Sequence, residues 1–101
     1  MNFKLWSYEG PVTMLQYNNW RTAFSWNTKS GEPIATITVN LPDERIASDE
    51  VAIDINNMSY IWEVITQLKA QGFITDHVRD TQSWFVNYPV YKVTQEVLDL
   101  I

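Results

Sequence analysis

Two segments in the first half of the chain alternate large apolar and small or polar positions. The first spans residues 20–26 and the second residues 33–41. Because successive side chains of a strand point to opposite faces, each segment is predicted to be a β-strand. The loop at 28–32 contains Gly31, so the two strands are predicted to form a hairpin. The pair Gly10-Pro11 predicts a break, and Pro89 predicts an edge position or a bulge. The other predicted strands are 3–8, 12–17, 51–55 and 83–93.

From residue 59 the apolar spacing changes to that of a helix. Ser59 is a suitable N-cap, and Gly72 is a suitable end because a helix often stops at a left-handed residue. A helix is therefore predicted over about 59–71, and Thr94 predicts the start of a short C-terminal helix. The apolar face of the main helix comprises Ile61, Val64, Ile65 and Leu68.

These elements predict one α+β domain over residues 1–101, in the order β-β-β-β-(β)-α-β. We expect a mainly antiparallel sheet of about five strands, with the main helix packed on one face. The other face then has nothing in this chain to cover it. A partner protein or a second copy of the chain could cover it.

The charge and composition of the chain limit the classes of partner and the cellular compartment that we expect. The chain has 101 residues, no cysteine and a net charge of −5. Its bases are scattered singly, so direct nucleic-acid binding is not expected. No segment approaches the roughly 20 apolar residues that span a bilayer, and no signal peptide is visible. We expect a cytoplasmic protein that does not associate with a membrane.

Candidate catalytic groups are few. The chain has one histidine, His77, and 3 glycines that are too far apart to form a phosphate-binding loop. A metal-assisted hydrolase using Asp76, His77 and Asp80 is one alternative. The ordinary explanation is a solvated histidine in a polar loop. We therefore predict no cofactor, no metal and no enzymatic activity.

The segment 43–54 concentrates acidic residues opposed only by Arg45. It is either a solvated loop or a binding surface for a basic partner. A sharper alternative is an inhibitor of a host defence nuclease, whose carboxylates take the place of DNA phosphates. The residues concerned are Asp43, Glu44, Asp49, Glu50 and Asp54.

Aromatic residues are the other candidate binding groups. The chain contains 5 Trp, 5 Tyr and 4 Phe residues. Trp62 lies off the apolar face of the predicted helix, so we expect it at the surface or over a sheet edge. Because Trp and Tyr are enriched in protein interfaces, Trp62 is a candidate contact. The ordinary explanation of the aromatic surplus is that the rings complete a small core.

Three short motifs together resemble a known family. They are GEPIATITVNLP at 31–42, DINN at 54–57 and YPVY at 88–91. The pattern resembles an uncharacterised family of small domains from phages and conjugative elements of Gram-positive and gut bacteria. Such domains often carry Ser-Gly-Phe where this chain has Ser83-Trp84-Phe85. The resemblance implies an accessory protein of a mobile element, and it brings no catalytic residue with it. The leading hypothesis is a non-enzymatic module that binds another protein.

Overall fold

The computed structural model describes residues 2–5, 8–17, 21–41, 46–55, 61–83 and 85–99. Within them the protein is α+β, with antiparallel strands, one main helix and a short C-terminal helix. The strands are β1 (Asn2–Leu5), β2 (Tyr8–Gln16), β3 (Thr22–Asn27), β4 (Pro33–Thr36), β5 (Thr38–Val39), β6 (Glu50–Ile53), β7 (Ile74–Ser83) and β8 (Val86–Val93). The helices are α1 (Ile61–Ala70) and α2 (Gln95–Leu98).

The described strands form two four-stranded sheets, not the single sheet of about five strands that the sequence predicts. Their orders are β1-β2-β3-β4 and β5-β6-β8-β7. The prediction was wrong for two reasons. The segment 33–41 contributes one strand to each sheet, and the polar residues 76–82, expected as a loop, belong to β7.

Ile37 is the point at which the chain passes from one sheet to the other. Its backbone N–H donates to the carbonyl oxygen of Phe24 in β3 at 3.0 Å. Its own carbonyl accepts from the N–H of Asp54, just after β6, at 2.9 Å. The next residue, Thr38, is buried, and its Oγ1 accepts from the Phe24 N–H at 3.1 Å. One residue therefore bonds to both sheets, and its side chain is buried between them.

The main core lies between α1 and both sheets. The four apolar residues predicted for the helix face are all buried, which confirms the periodicity of that segment. They pack with Phe24 and Trp26 of β3 and with residues of β6 and β8. Because rings from one sheet and aliphatic chains from the other enter the same cluster, α1 closes a core shared by both sheets.

The C-terminal end of α1 and the N-terminal end of α2 agree with the sequence. Gly72 has a positive φ of 80° and donates its N–H to the Lys69 carbonyl, which confirms it as the stop of α1. Thr94 caps α2 by accepting from the Val97 N–H. Ser59, the expected cap of α1, lies outside the described residues. No helix in the described part of the chain is long and apolar enough to cross a membrane.

The hairpin predicted around Gly31 is confirmed, whereas the break predicted at Gly10-Pro11 is wrong. β3 and β4 pair antiparallel across a loop in which Gly31 has a φ of 92°. Gly10 and Pro11 instead lie inside β2. Pro11 is tolerated because β2 changes partner there, pairing with β1 up to Pro11 and with β3 from Val12.

The face of the second sheet opposite α1 carries a smaller apolar cluster. Leu41, Ala52 and Val90 are buried in it, and Ile46 and Tyr88 pack against it half-buried. The chain therefore covers part of the face that was expected to be bare. Pro89 lies just past the last residue that β8 pairs with β6, as expected for a residue that cannot donate to a ladder.

Gly10 should be among the least replaceable residues. A Cβ at this position would stand 1.7 Å from the Asn27 carbonyl oxygen. We expect Gly10→Ala to lower the free energy of unfolding by about 3 kcal/mol, because the backbone of β3 must move. Gly31→Ala is the control, since nothing lies within 4 Å of its added Cβ and only its φ is unfavourable. Urea unfolding measures the stability of both variants. Equal losses of stability would contradict the close approach of Gly10 to the Asn27 carbonyl.

Thr38→Val tests the junction between the sheets. The substitution keeps the side-chain shape but leaves the buried Phe24 N–H without its acceptor. We expect a loss of about 2 kcal/mol in the free energy of unfolding. Thr13→Val, at an exposed position of β2, should cost much less. If both variants unfold at the same urea concentration, the Thr38 hydrogen bond does not stabilise the junction.

Candidate protein-binding site

The β7–β8 hairpin extends past the sheet that holds it. β6 pairs with β8 only from Lys92 to Val90, whereas β7 and β8 continue to pair up to Ser83 and Val86. We call the continuing part, residues 80–83 and 85–89, the arm. In register it consists of the pairs Asp80–Pro89, Thr81–Tyr88, Gln82–Asn87 and Ser83–Val86.

Phe85 stands at the tip of the arm. Phe85 lies in a turn next to the Ser83–Val86 pair and is 97% exposed there. Two-residue hairpin turns favour Asn, Asp and Gly because these residues accept positive φ angles. Turn formation therefore does not explain an aromatic side chain at this position. Trp84 lies outside the described residues.

An apolar row leads along β8 from the interior to this tip. Alternate residues of a strand share a face, so Val90, Tyr88 and Val86 point the same way. Val90 is fully buried in the smaller cluster, whereas Tyr88 and Val86 are half-buried. We call Phe85, Val86 and Tyr88 the apolar row. These three residues extend the apolar surface from the small cluster around Val90 to the exposed tip of the arm.

A partly buried ion pair holds the base of the arm on one side. The two terminal nitrogens of the Arg79 guanidinium, Nη1 and Nη2, donate to the Glu50 carboxylate, each at 3.1 Å. The Ala47 N–H donates to the same carboxylate at 3.0 Å. These hydrogen bonds, those from Arg79 above all, hold the pKa of Glu50 below its ordinary value against the effect of burial. The ionised Glu50 thus connects β6 to β7 through its ion pair with Arg79.

A second cluster forms beside the base, around Tyr91. Its ring lies 5.4 Å from the His77 ring, between centroids, and the Lys69 ammonium stands 5.0 Å from its centroid. His77 Nε2 in turn lies 2.7 Å from an Asp80 carboxylate oxygen. Burial raises the pKa of the Tyr91 hydroxyl, and the Asp80 charge adds to this. These contacts link α1, β7 and β8 where the arm begins.

The acidic residues predicted as a binding surface are divided in the structure. Asp43 and Glu44 lie outside the described residues. Asp49 pairs with Lys92 at 2.6 Å, which lowers the pKa of its carboxyl, and Glu50 is buried against Arg79. Asp54 is half-buried beside the sheet junction. Asp49 and Glu50 are thus neutralised by neighbouring cations, which weakens the case for a row of phosphate-like charges.

Trp62 and the residues of the alternative metal site lie at the surface. Trp62 is 57% exposed on α1, one of the two locations that the sequence allowed. His77 and Asp80 meet, as described above, and Asp76 is exposed. Within the described residues, no group of three or more His, Cys, Asp or Glu could hold a metal ion.

Sequence reasoning missed the arm, although a signal for it was present. Residues 76–82 are polar because they belong to an edge strand with mostly exposed side chains, whereas polarity alone predicts a loop. Neither glycine nor proline occurs between Gly72 and Pro89, so nothing in that stretch favours a loop over extended chain.

Comparison with known proteins gives no relative. No family model matches the chain, and neither a curated protein nor a solved structure is significantly similar to it.

The Glu50–Arg79 pair predicts how stability depends on pH. Because folding lowers the pKa of Glu50, its contribution is complete above the ordinary value of 4.5 and is lost as pH falls through the lowered value. Glu50→Gln should lower the free energy of unfolding at neutral pH by about 2 kcal/mol and flatten its decline in acid. Asp49→Asn, which breaks a more exposed pair, should have a smaller effect. Urea unfolding between neutral pH and pH 3 measures this, and an unchanged acid slope in Glu50→Gln would contradict it.

Proposed function

We propose that this chain is a non-enzymatic accessory module of a phage or mobile element and that it acts by binding another protein. The observation that carries the proposal is the arm with Phe85 at its tip. A phenyl ring that is 97% exposed on a built hairpin contributes nothing to the core of this chain. Together with the half-buried Val86 and Tyr88, Phe85 forms a contiguous apolar surface, which is typical of a protein contact.

The electrostatics of the described residues support binding through apolar contact. In the pairs Glu50–Arg79 and Asp49–Lys92 each carboxylate is joined to an opposite charge. They fix strands to one another. The mobile-element context rests on the sequence motifs alone.

Salt dependence separates this proposal from the nuclease-inhibitor alternative. The tagged chain, purified from its native host, should retain at least one stoichiometric protein partner. An apolar contact survives a wash at high salt, whereas contact through exposed carboxylates is screened. Retention that disappears at high salt would favour the acidic surface over the arm. If no protein is retained at low or high salt, protein binding is not the function.

A further inference from the structure

We infer that Phe85 is the anchor of the contact and that it enters a recessed, uncharged apolar pocket on a different protein. This rests on the proposed function and adds to it the surface and the chemistry of the partner. The apolar row would line the entrance of that pocket, so that Tyr88 and Val86 extend the buried cluster of Val90 into the partner.

The shape of the arm requires a concave partner. A Phe side chain yields roughly 150–250 Å² of buried surface, but only if it is enclosed on all sides. Phe85 projects from the end of two paired strands, so a flat surface would touch only one side of its ring. A pocket that encloses the tip also meets the adjoining strands of the arm.

The charge of the arm selects an uncharged pocket. No charged residue lies between Asp80 and Lys92. A surface that binds anionic lipid or nucleic acid needs clustered Lys and Arg, and the chain has a net charge of −5. Beyond Asp80 the arm thus offers an uncharged contact, whereas the rest of the chain, with its net negative charge, would be repelled by anionic surfaces.

The small size of the tip and the net charge of −5 on each copy disfavour a dimer in which two tips pack against each other. Two Phe85 side chains packed together would bury about 300–500 Å². A stable interface buries about 1,200 Å² or more. Contact of tip with tip is therefore too small to hold a dimer.

The base of the arm prepares Phe85 for binding. The Glu50–Arg79 pair fixes β7 to β6, and the contacts of Tyr91 with Lys69 and His77 fix β8 and β7 to α1. A group presented on a rigid element loses less conformational entropy when it binds. The strands that carry Phe85 are thus fixed at their base before the partner arrives.

The test places a photo-crosslinking phenylalanine analogue at position 85, or at position 15 as a control, in the native host. Leu15 is also apolar and exposed, at 51%, but belongs to β2. The inference expects a heterologous protein crosslinked from position 85, with the adduct competed by excess wild-type chain. An adduct from position 15 alone would overturn the inference and leave protein binding intact. If neither position gives an adduct and no protein co-purifies, the proposed function fails as well.

The crosslinked protein is then purified and titrated with variants by calorimetry. Phe85→Ser should raise the Kd at least about 30-fold, and Phe85→Leu should raise it less. Leu15→Ser should change the Kd by no more than about twofold. Thermal melting checks folding, which an exposed residue should not disturb. An unchanged Kd for Phe85→Ser would overturn the inference.

Two further measurements test whether a second copy of the chain or a membrane binds the tip instead. Sedimentation of the chain alone should show a monomer, and a dimer that Phe85→Ser dissociates would identify a second copy instead. Co-sedimentation with phosphatidylcholine–phosphatidylglycerol vesicles should show no binding. Vesicle binding that depends on Phe85 would assign the tip to a membrane and overturn the inference.

Discussion

The fold depends on the two backbone hydrogen bonds of Ile37. Its N–H belongs to the first sheet through Phe24, and its carbonyl belongs to the second through Asp54. A single strand running straight through 33–41 would extend one sheet and leave α1 with one surface to cover. The division at Ile37 instead brings two sheets around the same helix, so that Trp26 and Phe24 pack in one core with Val64 and Leu68.

That arrangement also determines where the arm stands. In the second sheet β8 is an inner strand only as far as Val90, and β7 is the outer strand. Beyond Val90 the two strands depend on each other, while their base is held by Glu50 and Arg79 from one side and by the Tyr91 cluster beside it. The same hairpin therefore has an anchored base and an exposed tip, a combination that suits a binding element.

Local patterns in the sequence predicted the local structure well. The face of α1, its stop at Gly72, the cap at Thr94 and the hairpin at Gly31 follow from periodicity and backbone preference. What could not be read locally was pairing over distance. Nothing in residues 33–41 marks the change of sheet at Ile37, and the partners that neutralise Asp49 and Glu50 lie 43 and 29 residues away. The apparent acidic surface was for this reason partly a set of structural ion pairs.

The most direct test of binding through the arm is ¹⁹F NMR of the chain labelled with 4-fluorophenylalanine at its 4 phenylalanines, with Phe85 assigned by substitution. In the free chain the Phe85 resonance should show full solvent exposure. Addition of the protein partner should shift that resonance and remove its sensitivity to D₂O, while the signals of the buried Phe24 and Phe73 stay in place. A saturated complex in which the Phe85 resonance is unshifted and still solvent-sensitive would contradict binding through the arm.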